Sequence, residues 1–600
     1  MRGREKWEIP EKTRRPAASS GTIPTCGNPG VARPGIEPGS PRWEASRLTA
    51  QPPRCCKYKR KRITMAVIFS WLITDIVFAM VACFVLSSLY YTHVFKYWKK
   101  RGVHYMEPSL FFGNFARVAM HRESAAEFLR KTYERTAGIP FVGMYAFSKP
   151  QLLVRDLKLL QRILVTDARV FLDNDFSPPE KVSPLLSKSV FVLKGRKWGH
   201  MRIKLTPTFT SGNIQNMFPE INMHSNKLVL CIDQEISKGN AVDVKDLVAR
   251  FSTDTIASCV FGVDTNALAE PNCEFHLALL EVIEPGVVQK LVLALSLFLP
   301  WLLSVLGAVA FPGRVGEFVR MTLWDIVEHR KKSRTVRKDF GDLLMQITDQ
   351  REEAQPEHSE NSGGNSDSES DDDDMVTQAF VFILVSFETS ASLITFALFE
   401  LALNPAIQDR LRGEITSVLG KYSSQVTHDA IAKMTYLDMV VSETMRKYPI
   451  LPSLERKCLS NYEVPGTNVT IEKGTPVMVS VLGIHSDPEI YPDPEKFDPE
   501  RFNTENRRKR SRFAHLPIAD GPRIRTGMQF GQMQVKTVLA HILRTFRVWP
   551  CRVTPKPPLK LRALHGPLSA DKKILLAFTE LSRTSADGRR FHNYSAFKLV

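Results

Sequence analysis

Residues 378–402 read QAFVFILVSFETSASLITFALFELA, an almost wholly apolar stretch that is too long for a strand. It therefore predicts a long buried helix. Glu388 and Thr389 lie inside it, and burying a carboxylate without a partner is costly. Two interpretations remain open. In the first, Thr389 bonds back to a helix carbonyl and Glu388 reaches the helix edge. In the second, the pair is a proton relay beside a reactive centre.

Around this stretch, helical periodicity dominates from about residue 115 to residue 450. Short β-rich pieces such as Phe141–Gly143 and Leu152–Val154 lie near its start. The pattern predicts a mostly α protein with minor β, and no internal repeat is visible.

Residues 65–92 predict an N-terminal transmembrane anchor, because their apolar run is long enough to cross a bilayer core of ~30 Å as a helix. A cleaved signal peptide and a buried helix are the alternatives, but the run exceeds a typical signal core. Met65 is a plausible true start. The basic residues 96–101 follow the span, which places the C-terminal part in the cytoplasm.

Residues 1–64 are rich in Pro, Gly, Ser and Arg and are predicted to be a disordered leader, with a gene-model artefact as the alternative. Residues 352–374 are predicted to be an acidic disordered loop, and 581–600 an atypical C-terminal tail. A second apolar run, 291–311, is divided by Pro300. It favours a helix pair lying on the membrane surface, with a true span as the alternative.

The net charge of +18 arises from 81 Lys+Arg and 63 Asp+Glu. The leader contributes +10 and residues 352–374 contribute −10, so the remaining excess is spread along the chain. Without dense basic clusters, this charge fits an anionic membrane surface or an acidic protein partner, and no nucleic acid is expected. The nine cysteines lack the density of a disulfide scaffold, which favours a reducing compartment.

Several shorter motifs follow one another in a specific order. SETMRKYP holds Glu443 and Arg446, three residues apart on one predicted helix face, and FDPERF supplies Arg501. PIADGPRIRTGMQFG has a Gly-Pro-Arg turn leading into an apolar helix, and KGRKWGHMRIKLTPTFT holds Trp198 and Arg202. Each motif alone fits an ordinary ion pair or a packing anchor. The order of the motifs along the chain is therefore more specific than any one of them.

In that order, the sequence resembles the cytochrome P-450 family of heme-thiolate monooxygenases, most closely its insect microsomal members, over roughly residues 65–580. The phrases that match include LTPTFTSG, LALNPAIQDRLR, ETMRKYP, YPDPEKFDPERF and LAHILRTFRV. The resemblance implies a mostly helical fold around buried heme and an endoplasmic reticulum anchor with the globular domain facing the cytoplasm. It also implies oxidation of small lipophilic molecules, with electrons from NADPH delivered by NADPH-cytochrome P-450 reductase. The substrate itself is not implied, because the family's selectivity lies in divergent loops.

The resemblance also implies roles for matched residues. Glu388 and Thr389 would be catalytic, and Glu443, Arg446 and Arg501 would form a structural charge network behind the heme. The cofactor-binding residues would be Trp198, Arg202, Arg456, Gly521, Arg523 and Gly527. Arginine suits the heme propionates because its planar fork binds carboxylates bidentately.

One position departs from the family's heme loop, Phe-Gly-x-Gly-x-Arg-x-Cys-x-Gly. Here residues 518–527 place Arg525 where the family has the cysteine that binds iron. A guanidinium is always charged and offers no lone pair, so no metal ligand is assigned. Cys458, Cys551, His515 and Met528 do not match the loop position.

Other substitutions lie on both faces of the expected heme. Val385 and Ser386 stand where the family usually has Ala-Gly, and Ile518 and Ala519 replace an aromatic residue and a glycine. A catalytically impaired or non-enzymatic relative that acts as a binding protein is therefore the alternative to a monooxygenase. A pseudogene product is a further alternative.

Overall fold

The computed structural model describes residues 54–581, except 121, 285, 299, 308–312, 334–340, 343–365, 518, 524–526 and 562–567. The predictions made for residues 1–53 and 582–600 lie outside the described residues, and so does Arg525. The chain divides into two compact units between Met80 and Val81, within the first helix.

Helices make up most of the described chain, as the sequence predicts. They are α1 (Arg54–Val94), α2 (Tyr97–Lys100), α3 (Ala116–Ala119), α4 (Ala125–Arg135), α5 (Leu157–Gln161), α6 (Pro184–Ser187), α7 (Gly195–Leu205), α8 (Ser211–Ser237), α9 (Val244–Ile256), α10 (Glu274–Ile283), α11 (Val287–Phe298), α12 (Pro300–Leu306), α13 (Gly313–Ser333), α14 (Ser366–Leu403), α15 (Pro405–Gly420), α16 (His428–Lys433), α17 (Thr435–Lys447), α18 (Val481–His485), α19 (Thr504–Lys509) and α20 (Met528–Thr545).

The strands form three small sheets. They are β1 (Phe141–Ala146), β2 (Lys149–Val154), β3 (Val242–Asp243), β4 (Ser453–Lys457), β5 (Tyr462–Glu463), β6 (Thr470–Ile471), β7 (Pro476–Ser480), β8 (Phe546–Pro550) and β9 (Leu575–Glu580). One sheet has the order β1-β2-β7-β4, with β2 parallel to β7 and β4 antiparallel to it. The other two are β3-β9-β8 and β5-β6.

Helix α14 lies at the centre of the main core. It packs against α9, α17 and α20, and residues such as Phe380, Ile383 and Phe399 are completely buried. No Gly or Pro interrupts Ser366–Leu403, and Pro405 then disfavours helical backbone at Asn404. The apolar stretch therefore forms the long buried helix that its pattern predicts.

Two helices among the described residues are long and apolar enough to cross a membrane, Trp71–Lys100 and Val376–Leu403. The second is the core helix just described, and most of it is buried. The apolar window of the first is entirely unburied. The N-terminal helix is thus a possible anchor, whereas α14 is explained by the protein core.

Two predicted boundaries differ from the structure. Helix α1 begins at Arg54, so residues 54–64 are helical and not a disordered leader. Helix α14 begins at Ser366, so the end of the predicted acidic loop is helical as well. The helix dipole favours acidic side chains near a helix N-terminus, so an acidic composition is compatible with helix at this position. The 291–311 run contains a helix pair, α11 and α12, that is divided next to Pro300.

Candidate functional site

A cavity of about 190 Å³ lies beside the middle of α14. Residues from α7, α14, β4, the loop before α20 and α20 itself line it. Much of its wall is apolar, including Leu205, Phe209, Val381, Phe382 and Leu393. The cavity also collects six of the residues selected from the sequence: Trp198, Arg202, Thr389, Arg456, Arg523 and Gly527.

Arg456 enters the cavity from β4 and is 6% exposed. Its guanidinium donates to Asn174 Oδ1 at 3.1 Å and to the Glu455 carbonyl at 2.7 Å. Burial, and after it the charge of Arg523, lower the pKa of Arg456 to about 10. The side chain remains a cation at neutral pH.

Arg523 is held by several acceptors and by an aromatic ring. It donates to Asp173 Oδ1 at 3.0 Å, to the Leu172 carbonyl at 2.9 Å and to the Leu193 carbonyl at 2.8 Å. Its guanidinium carbon lies 4.4 Å from the Trp198 ring centroid. Burial lowers the pKa of Arg202, which lines the same cavity. Three guanidinium groups therefore create a positive region that suits a ligand carrying carboxylates.

The structure separates Glu388 from Thr389. Thr389 lines the cavity, and its hydroxyl donates to the Val385 carbonyl at 2.7 Å. Glu388 instead accepts a hydrogen bond from Lys245 Nζ at 2.7 Å and lines a second cavity. Consecutive residues of an α-helix point about 100° apart, and the rotation of α14 in this structure turns Thr389 towards the main cavity and Glu388 towards the second. Thr389 thus bonds back to a helix carbonyl, as in the first of the two interpretations, and Glu388 lies at a different cavity from Thr389.

Two glycines of the loop before α20 have different surroundings. Gly521 has a φ of +83°, and a Cβ there would come within 1.8 Å of the Leu164 carbonyl oxygen. Only glycine avoids that clash and adopts the left-handed backbone without strain. Gly521 does not line the cavity, whereas Gly527 does, and a Cβ on Gly527 would lie 3.7 Å from Phe209.

Ala519 lies in the same loop and has a strained backbone conformation. Its φ is +76°, a backbone region that costs a residue with a Cβ roughly 1–2 kcal/mol. Ala519 stands at a position where the resemblance expects a glycine. With alanine at this position, the backbone keeps the left-handed conformation that glycine adopts freely and that alanine adopts only with strain.

Glu443, Arg446 and Arg501 come together away from this cavity. Arg446 donates to both oxygens of Glu443, at 2.7 and 2.9 Å, and both side chains are at most 1% exposed. Arg501 Nε lies 3.5 Å from Glu443 Oε1, which is within ion-pair distance. Burial raises the pKa of the Glu443 carboxyl, while the Arg446 guanidinium acts in the opposite direction.

None of the cysteines in the described part of the chain lines the main cavity. Met528 does line it. His515 is half-buried elsewhere, with its ring 5.4 Å from that of His485. No group of three or more His, Cys, Asp or Glu side chains that could hold a metal is found among the described residues.

Asn174 and Gln378 were not selected from the sequence, yet both line the cavity. Gln378 accepts from the Val190 N–H at 3.0 Å and donates to the Lys188 carbonyl at 2.9 Å. It therefore fastens the segment before α7 to α14. The phrase QAFVF contains Gln378, but nothing in the phrase shows which backbone groups it would bind.

Comparison with known proteins adds the family. The sequence profile described as "Cytochrome P450" matches residues 104–577. The chain belongs to the cytochrome P-450 family.

Its relatives are of insect type. Cytochrome P450 6k1 and Cytochrome P450 6j1, both from Blattella germanica, are each 37% identical to the chain. The first match covers 86% of the chain and 99% of the relative, and the second covers 83% and 97%. Cytochrome P450 6a2 from Drosophila melanogaster is also 37% identical, over 80% of the chain and 95% of its own length.

Membership of the cytochrome P-450 family supports heme as the cofactor and a monooxygenase as the class of enzyme. The cavity residues fit one side of that cofactor, because Arg202, Arg456 and Arg523 can pair with two carboxylates. They do not fit at the iron. The ligand position holds Arg525 in the sequence, and a guanidinium has no lone pair for a metal.

Proposed function

We propose that this cytochrome P-450 derives from monooxygenases that oxidise small lipophilic molecules, using molecular oxygen and electrons from NADPH. NADPH-cytochrome P-450 reductase would deliver the electrons. The observation that carries the proposal is the α14 cavity, whose apolar wall faces Thr389 and three arginines. Heme, when bound, is the group that activates oxygen in this family.

The residues of the chain would have different roles according to where they lie. Trp198, Arg202, Arg456 and Arg523 would hold the carboxylates of the cofactor in the cavity beside α14. Thr389 would present its hydroxyl beside the substrate. Phe209 and Phe382, whose rings lie 5.1 Å apart, would exclude water and favour apolar substrates. Glu443, Arg446 and Arg501 would stabilise the fold without touching the substrate.

Arg525 supports a second candidate, a protein with impaired activity or none. A cation at the ligand position repels the iron and cannot supply the thiolate. The strained Ala519 and the bulkier Val385 and Ser386 all line the main cavity. On this proposal the chain retains a cavity that binds small molecules and has lost most of its turnover. A pseudogene product without a role is the remaining alternative.

The protein would reside in the endoplasmic reticulum membrane. Helix α1 would be the anchor, because its side chains from Trp71 to Leu86 are mostly exposed and apolar. Lys96, Lys99 and Arg101 follow it and would keep the globular part in the cytoplasm. The α11 and α12 pair would provide a second contact with the membrane surface.

The absorption spectrum of the reduced carbon monoxide complex tests the proposal. A thiolate ligand produces the red-shifted band of this family, so the purified chain reconstituted with heme should lack that band. Arg525→Cys should restore it at least in part, with low turnover because the other substitutions remain. A normal thiolate band from the unmodified chain would contradict the impaired assignment. Failure of Arg525→Cys to bind heme at all would contradict the cavity assignment.

A further inference from the structure

A second cavity, of about 200 Å³, lies on another face of α14. The start of α9, the end of α10 and residues 569–574 close its other sides. Glu388, Ser392 and Phe396 are the α14 residues that line it together with Phe387 and Thr395. The cavity shares none of its lining residues with the first one.

Glu388 is the buried carboxylate of this cavity and is 6% exposed. Its Oε1 accepts from Lys245 Nζ at 2.7 Å and from the Ser392 hydroxyl at 3.1 Å. Its Oε2 is buried and has no hydrogen-bond partner among the described residues. Leaving a charged acceptor buried and unpaired is unfavourable. The missing partner must therefore be a hydrogen-bond donor, and a positive charge would suit it best.

The charge of the lining also favours a cation. Five carboxylates line the cavity against three lysine ammonium groups. Lys245 pairs with Glu388, Lys573 pairs with Asp243 at 2.9 Å, and Asp246 pairs with Arg250 outside the lining. The carboxylates are those of Asp243, Asp246, Glu284, Glu388 and Asp571. The lining itself therefore carries two more carboxylates than ammonium groups, which favours positive ligands over negative ones.

The walls favour an organic cation over a metal ion. Phe387, Phe396, Leu280 and Ile283 supply apolar and aromatic surface, and ring faces attract ammonium groups. In the part of the chain that the structure describes, no three His, Cys, Asp or Glu side chains converge closely enough to hold a metal. An engineered cavity of about 150 Å³ holds benzene, so this volume accepts one ring with a short chain.

We propose that this second cavity binds a small primary amine, with its ammonium group at Glu388 and its apolar body between α10 and the two phenylalanines. The main cavity disfavours such a ligand because three arginines line it. The site requires neither heme nor turnover, so it does not depend on the function proposed above.

Isothermal titration calorimetry of the full chain in detergent micelles tests the proposal, with phenethylamine as the probe at pH 7. Phenethyl alcohol is the matched control ligand, since it has the same ring and chain without the charge. The amine should bind at least tenfold more tightly than the alcohol. Equal affinities would overturn the proposal.

Two variants of adjacent residues locate the binding. Glu388→Gln keeps the side-chain volume, removes the charge and should weaken the amine at least tenfold. Thr389→Val alters the main cavity and should leave amine affinity unchanged. Amine binding that survives Glu388→Gln, or that disappears in Thr389→Val, would overturn the assignment and indicate the main cavity.

Asp571→Asn serves as a further variant if Glu388→Gln does not fold, because Asp571 is exposed on the wall opposite α14. It should weaken the amine severalfold and leave the alcohol unaffected. An unchanged amine affinity in Asp571→Asn would contradict the charge argument.

Discussion

Truncating Glu443 to alanine tests whether the charge network stabilises the fold. In the native structure Glu443 is completely buried and accepts two hydrogen bonds from Arg446 and one, at 2.9 Å, from the Asp498 N–H. Among the described residues, the acceptors left to Arg446 after the change are carbonyl oxygens, those of His485 and Pro494 at 2.7 Å each and that of Lys496 at 3.5 Å. Its charge would then be buried without a counter-charge.

Removing one partner of a buried ion pair costs roughly 3–5 kcal/mol. A typical domain has only about 5–15 kcal/mol of unfolding free energy, so Glu443→Ala should lower expression and stability sharply. Glu443→Gln keeps the size and one acceptor and should cost less. Thr389→Ala should cost about 1 kcal/mol or less, since Thr389 contributes one hydroxyl bonded within its own helix.

The measurement is the free energy of unfolding from urea denaturation of the full chain in detergent micelles, followed by circular dichroism. Glu505→Ala is the surface control, because its carboxylate is 75% exposed and pairs only with Lys509 in the same helix. That change should stay within about 0.5 kcal/mol. If Glu443→Ala left the stability unchanged while Thr389→Ala unfolded the protein, the assigned roles of both residues would be refuted.

Three further predictions concern the loop, the pH dependence and the topology. Ala519→Gly should raise the free energy of unfolding by up to about 1 kcal/mol, because it relieves left-handed strain, and a decrease in urea denaturation would contradict that strain. Burial, and after it the charge of Arg510, lower the pKa of His515 in the folded protein to about 3. Between about pH 3 and 6.5, His515 is therefore protonated in the unfolded protein and neutral in the folded protein. Stability should therefore fall on acidification from about pH 6.5 towards 3, and His515→Phe should reduce the slope by about 1.4 kcal/mol per pH unit; an unchanged slope would exclude His515 as its source. With the chain started at Met65, protease outside intact microsomes should digest the globular part, and full protection would reverse the topology; deleting residues 65–101 should weaken membrane attachment without abolishing it.

The long elements followed from local patterns. Residues 378–402 lack Gly and Pro and are mostly apolar, so helix formation and burial required no knowledge of the rest of the fold. Composition does not predict the helix starts at Arg54 and Ser366, because both segments continue directly into strongly helical neighbours. Gln378 and Asn174 were missed because their partners are backbone and side-chain groups far away in the sequence.

The order of the motifs was sufficient by itself to indicate the family and to show that Arg525 occupies the ligand position, because both are properties of residue identity along the chain. The spacing of Glu443 and Arg446 likewise predicts a shared helix face. Only the tertiary structure decided that Thr389 lines one cavity and Glu388 another, since the direction of a side chain depends on how α14 is rotated against α9 and α20. The strain at Ala519 is also visible only in the structure. The packing of the loop imposes its positive φ, and an alanine in the sequence does not predict that backbone conformation.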